Sequence, residues 1–129
     1  MSASAELQAY LHEHIPLSRA MGVHVLEAGP ERVRLRAPLE PNLNHRRTAF
    51  GGSIASLATL AGWGWLRVRL AEHEPPVRLV VQKSTIDYLD GIDAEFEAVC
   101  PAPPAEAWSR FERMLASRGR ARLELAVEV

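Results

Sequence analysis

The chain has 129 residues, 47% of them hydrophobic and 24% charged, with a formal net charge of -1 at neutral pH. That length buries one core and is too short for two, and the composition argues against disorder or a repeat array. So even a charge balance gives no electrostatic reason to expect nucleic acid or an anionic membrane surface as a partner.

The N-terminal stretch MSASAELQAYLHEH has no apolar core of the kind a signal peptide needs. From Ser4 to Ile15, Leu7, Tyr10, Leu11 and Ile15 recur at helical spacing behind a serine cap, and Pro16 ends the pattern. The expectation is a short amphipathic lead-in helix within residues 1–16. Val23 and Val25, then Val33, Leu35 and Ala37 beyond the Gly29-Pro30 turn, alternate with His24, Glu31, Arg32, Arg34 and Arg36. That period of two predicts two antiparallel strands with one wet face.

Pro38 and Pro41 stop the second strand and open a loop that runs to Phe50. Beyond Gly51-Gly52, the residues Ile54, Leu57, Ala58, Leu60, Ala61, Trp63, Trp65 and Leu66 cover nearly the whole circumference of a helix. A helix apolar all round must be surrounded by protein. The run is broken by Ser56, Thr59 and two glycines and is shorter than the roughly 20 residues of a membrane span, so it reads as a core helix of a soluble protein. Arg67 to Glu74 turns polar before Pro75-Pro76.

Val77 to Leu89 and Ile92 to Cys100 are both strand-like, and Asp90-Gly91 between them is a two-residue hairpin signal. Cys100 is the single cysteine, without a disulfide partner or metal-ligand spacing, which fits a reducing cytoplasm. Ala105 to Ser117 places Trp108, Phe111, Met114 and Leu115 at helical spacing, predicting a second amphipathic helix over an edge of the sheet. Gly119 releases it into a final alternating strand, Ala121 to Val129. This order predicts an α+β fold in one domain, 1–129, with an antiparallel sheet curled around a buried helix.

Chemistry concentrates where the loop meets that helix. A helix N-terminus carries unpaired N–H groups and about half a positive charge, and so can polarise a carbonyl or hold an oxyanion. Gly51 and Gly52 let a substrate approach that backbone, or they merely permit a tight helix start and close packing. Asn44 has an Asx-turn as its ordinary loop role. His45 is a candidate general base by residue type, although most loop histidines are simply solvated. Asp87, late in the third strand beside Tyr88, is either a base raised by burial or an exposed polar residue. Ser53 and Thr59 can donate hydrogen bonds but are not bases at neutral pH. Trp63, Trp65 and Tyr88 either line an acyl tunnel or are plain core. Arg46, Arg47, Arg78 and Lys83 are candidate phosphate contacts, or surface charge; Arg46 and Arg47 flank the junction.

Other chemistries fail on the residues. Gly51-Gly52-Ser53-Ile54-Ala55 lacks the last glycine of a nucleophile elbow and the chain is far too short for that fold. Cys100 has no histidine near it in sequence. His12 and His14, two apart on a helix, face different sides and make no metal site.

With this order in place, the loop-helix junction resembles the hotdog-fold thioesterase superfamily, and the acyl-CoA thioesterases of the phenylacetyl-CoA thioesterase-like group within it. Their signature is a loop Asn, a His-Gly-Gly at the helix start and a carboxylate two turns into the helix. Asn44 and Phe50-Gly51-Gly52 occupy the first two places. The chain is similar above all to a bacterial subgroup of thioesterase-like domains that also occurs fused behind acetyltransferase domains. The similarity lies in Thr48-Ala49-Phe50-Gly51-Gly52-Ser53, Ala61-Gly62-Trp63-Gly64 and Tyr88-Leu89, and it covers roughly Pro16 to the end. Phe50 replaces the usual His, Thr59 stands where relatives place the acid, and the chain stops at Val129 where relatives run one further strand.

The resemblance implies hydrolysis of an acyl-CoA or similar acyl thioester, with no cofactor beyond the coenzyme A of the substrate and no metal. It implies a homodimer, or a dimer of dimers, with sites between subunits and the third strand close to the partner's site. Gly51 and Gly52 amides would polarise the carbonyl, Asn44 would position water or substrate, and Asp87 or His45 would assist proton transfer. Phe50, Ser53, Thr59, Trp63, Tyr88, Arg46 and Arg47 would contact substrate. The missing helix carboxylate leaves open a hotdog module that binds acyl-CoA or another apolar ligand without cleaving it. A dehydratase of the same fold is disfavoured, because its His and acid pair is not evident.

Overall fold

The computed structural model describes residues 2–129, so Met1, first of the expected lead-in, lies outside them. Ser2 caps the first helix, α1 (Ala3–His14), by accepting a hydrogen bond from the Ala5 N–H at 3.1 Å. Leu7 and Leu11 on its inner face are buried. Pro16 does more than end the pattern: it opens a short second helix, α2 (Pro16–Ala20), at a position where its missing N–H costs nothing.

Strands β1 (His24–Ala28), β2 (Arg32–Ala37) and β3 (Phe96–Pro101) form an antiparallel sheet in the order β1-β2-β3. Its inner face carries Val25, Val33, Leu35, Ala37, Phe96, Ala98 and Cys100, all buried. Its outer face is laced by Arg32–Glu27 and Arg34–Glu97 at 3.0 Å and Arg36–Glu95 at 3.9 Å. Side chains of α1 close the free edge of β1: Gln8 accepts from the Val25 N–H at 2.9 Å, and the His12 ring bonds the Val23 carbonyl at 2.8 Å. A covered edge cannot recruit another strand.

The predicted core helix is α3 (Gly51–Arg69), lying across the inner face of the sheet. Leu57, Ala61 and Trp65 are fully enclosed, and the Trp65 indole donates to the Pro30 carbonyl at 3.1 Å. Helix α4 (Ala105–Arg118) adds Trp108, edge-to-face on Trp65 with ring centres 5.4 Å apart, and Phe111. Gly119 ends it in the left-handed region, φ 72°, with its N–H on Leu115, as the sequence led us to expect.

Two expectations need correction. Val77 to Leu89 joins no ladder, and Asp90-Gly91 closes no tight hairpin, since β3 begins only at Phe96. The closing segment meets the sheet at one bridge, Val99 with Glu128, through hydrogen bonds of 2.8 and 3.0 Å. Alternation fixes which side chains face inward but not whether the backbone finds a partner at hydrogen-bonding distance. Val77 to Leu89 is tied instead to α3, by Trp63 Nε1 to the Leu79 carbonyl at 3.2 Å and by Tyr88 at the other end. Between these ties Val80 and Val81 stand in solvent, and Leu89 is 86% exposed.

Candidate functional site

The loop ahead of α3 is shaped by two asparagines. Asn42, 2% exposed, donates from its side-chain amide to the carbonyls of Met21 and Pro38 at 2.9 and 2.7 Å, while its own carbonyl accepts the Phe50 N–H at 2.7 Å. It pins the residue that precedes the helix to the end of β2. Its Oδ1 is buried without a partner, an exception to the usual satisfaction of buried polar atoms. Asn44 closes the next turn: Oδ1 accepts from the Arg46 and Thr48 N–H groups, and Nδ2 donates to Thr48 Oγ1 at 2.9 Å and weakly to the Ala49 carbonyl. Within that clasp Arg47 is held at φ 64°, a conformation unfavourable to a side chain with a Cβ. The Ala49 N–H, bonded to the Ile92 carbonyl at 2.7 Å, anchors the loop to the chain beyond Asp90-Gly91.

Phe50 is the N-cap of α3 and supplies no side-chain cap. Its carbonyl accepts from Ser53 and Ile54, so among the described residues the N–H groups of Gly51 and Gly52 have no backbone acceptor. Two donors at the positive end of a 19-residue helix form a place for a carbonyl oxygen or an oxyanion. Neither glycine needs positive φ. Their missing side chains serve two neighbours instead. A Cβ on Gly51 would stand 3.4 Å from the Tyr88 ring, and one on Gly52 would collide with the Phe50 ring. The two exposed rings therefore flank the free amides, and the Tyr88 hydroxyl donates to the Gly51 carbonyl at 2.9 Å.

The other expected residues divide by distance. Ser53 lies in the first turn of α3 with its N–H already used. His45, Arg46 and Arg47 are exposed on the Asn44 loop, and Asp87 is exposed beside Tyr88. Thr59 is eight residues along α3 from Gly51, about 12 Å, and Trp63 is twelve, about 18 Å, at the helix rise of 1.5 Å per residue. Trp63 thus does not join the junction, and Trp65 is core. Cys100 is enclosed in the sheet, and burial pushes its thiol up to about 11, which removes it as a nucleophile at neutral pH. Sequence reasoning missed Asn42 and Ile92. Asn42 sits directly after Pro41 at the foot of the loop, a signal that was available; Ile92 gave none.

Among the described residues no helix is long and apolar enough to cross a membrane, and no group of three or more His, Cys, Asp or Glu could hold a metal ion. Comparison with known proteins places the chain. Residues 4–129 match the family model described as "Putative thioesterase (yiiD_Cterm)". A protein of unknown function from Chlorobaculum tepidum TLS is 31% identical, with a TM-score of 0.90 over 96% of this chain and 76% of that one. The crystal structure of "the putative thioesterase from Shewanella oneidensis" is 26% identical, with a TM-score of 0.76 over 98% of this chain and 85% of its own. A Pseudomonas aeruginosa protein of unknown function is also 26% identical, with a TM-score of 0.75 over 96% and 82%.

Proposed function

The chain belongs to the family described as "Putative thioesterase (yiiD_Cterm)" and has the hotdog fold, and from that footing we propose that it hydrolyses an acyl-CoA or similar acyl thioester at the start of α3. The observation that carries this reading is the pair of unaccepted N–H groups on Gly51 and Gly52, flanked by Phe50 and Tyr88. The thioester oxygen accepts from these amides, which polarises the carbonyl and favours the charge that develops as water adds to its carbon. The water's proton passes to His45 or Asp87, the C–S bond breaks, and the thiolate takes the proton back as the acid forms. Asn44, its hydrogen-bonding capacity spent on Arg46, Thr48 and Ala49, acts by shaping the loop that leads into Phe50 and Gly51. Phe50 and Tyr88 give the acyl chain an apolar flank.

The same reading makes the protein a homodimer. Val77 to Leu89 exposes Val80, Val81 and Leu89 on a segment that pairs with no strand of its own chain, and a second copy is the natural occupant. One observation favours a second reading, a module that binds the thioester without cleaving it: Thr59 brings no carboxylate to the helix.

Gly51→Pro tests the oxyanion role directly. Proline suits the first position of a helix, Phe50 already has the extended ψ of 132° that a following proline requires, and the substitution deletes one donor. Thiol release across acyl-CoA chain lengths should fall by about 10²- to 10³-fold in kcat with the melting temperature little changed, whereas Gly51→Ala, which keeps the N–H, should stay active. Full turnover by Gly51→Pro would remove the proposed role. Binding without thiol release for every substrate would establish the second reading, and Asp87→Ala beside His45→Ala assigns the proton acceptor.

A further inference from the structure

Three elements end within hydrogen-bonding reach of one buried asparagine. Met21 closes α2, and its carbonyl is one of the acceptors that a helix end leaves open. Pro38 follows β2, and Phe50 precedes α3. Asn42 meets all three: Nδ2 donates to the Met21 and Pro38 carbonyls at 2.9 and 2.7 Å, and the backbone carbonyl accepts the Phe50 N–H at 2.7 Å. Gly22 lets the first two come together. It stands at φ 73°, and a Cβ there would come within 3.0 Å of the Pro38 ring, so a glycine allows α2 to turn closely against the end of β2.

The chemistry of the place selects asparagine. Two carbonyls need two donors on one atom; a carboxylate offers none, a hydroxyl offers one, and Lys or Arg would bury a charge. The arrangement nonetheless leaves Asn42 Oδ1 buried and unpartnered, and within the same loop Arg47 is held at φ 64°. Both features oppose stability, and both lie in the stretch 42–50 that runs into α3. Local rules broken together mark a geometry fixed for another purpose, and the purpose here is the next peptide. Asn42 holds the peptide before Phe50, while the Ser53 and Ile54 N–H groups hold the carbonyl of the peptide after it. With the planes on both sides of the Phe50 Cα held, the Gly51 N–H, which shares the second plane, keeps one direction.

We propose that Asn42 is a positioning residue for the carbonyl-binding amides: it ties α2 and the end of β2 to Phe50, and through Phe50 it aims the Gly51 N–H. Its effect on turnover rests on the thioesterase reading. Its effect on the amides does not, and the two are measured separately.

Asn42→Leu keeps the approximate volume and removes both donors. In the isotope-labelled full-length protein, the Gly51 and Gly52 amide resonances should move, and the Phe50 amide should exchange with solvent about tenfold faster. With acyl-CoA, kcat should fall about tenfold and KM should change little, because a misaimed donor weakens the developing oxyanion more than the bound ester. Val33→Ala, a fully buried substitution on β2, is the control: it should lower the melting temperature and leave kcat and both glycine resonances where they are. Asn42→Ser, smaller and still polar, carries the same readouts if Asn42→Leu does not fold. Unmoved glycine resonances overturn the proposal; so does an unchanged kcat where the parent protein turns over, an equal loss of kcat in Val33→Ala, or unfolding of both Asn42 variants, which would leave the residue a structural one. A parent protein that releases no thiol, with glycine resonances that still move and Phe50 exchange that still quickens in the Asn42 variants, refutes the thioesterase reading and upholds the positioning role.

Discussion

Towards its C-terminus α3 offers Ala61 and Trp65 to a sealed core, where the Trp65 N–H finds the Pro30 carbonyl and Trp108 covers the ring. At its N-terminus the same helix begins without a side-chain cap, leaves two amides without acceptors and has Phe50 and Tyr88 exposed on either side. One helix therefore carries both a sealed, tightly packed length and an end whose backbone is not satisfied. The first anchors the second: free donors at a helix end stay aimed only if the rest of the helix cannot shift, and a site on a rigid element is more exact than one on a loop.

Substitution of the anchored end should have the largest effect. Trp65→Ala removes a fully buried indole and should cost about 3–5 kcal/mol, read as a shift of the denaturant midpoint. Loss of less than about 1 kcal/mol would mean that the two ends are not so different. A smaller effect in the same half is electrostatic. Burial raises the Cys100 thiol to about 11 from an ordinary value of 9.0, so between those values the unfolded chain releases a proton that the folded chain keeps. Stability should accordingly be intact below about pH 9 and decline towards pH 11, by on the order of 2 kcal/mol, and Cys100→Ala should flatten the decline. Ready alkylation of the native thiol at pH 8 would contradict the sealed half.

The same contrast governs what could be read from the sequence. The buried helix, the β1–β2 pair, α4 and its Gly119 end were legible because apolar spacing, turn glycines and caps are local signals. The junction was located from Gly51-Gly52 and the family resemblance, but its construction was not. Asn42 works through carbonyls contributed by Met21 and Pro38, and Tyr88 reaches Gly51 across 37 residues of chain. No local pattern encodes such contacts. Val77 to Leu89 shows the converse limit: its composition is that of a strand, yet a ladder needs a partner, and composition does not say where the partner comes from.

The finest test acts at the open end. Tyr88→Phe deletes the hydroxyl that donates to the Gly51 carbonyl at 2.9 Å while keeping the ring against the glycine. The bond is exposed, so its loss should change stability by no more than about 1 kcal/mol. Its effect on turnover depends on geometry. The carbonyl it holds belongs to the peptide that follows Gly51, the peptide whose nitrogen is the Gly52 amide. If that bond orients the Gly52 N–H toward the thioester oxygen, kcat should fall about fivefold with KM little altered, since the donor then matters more to the developing oxyanion than to the bound ester. If KM rises instead and kcat holds, Tyr88 serves the open end as an apolar wall for the acyl chain, and the aim of the amides is set by the Asn42 and Asn44 clasps together with the buried length of α3.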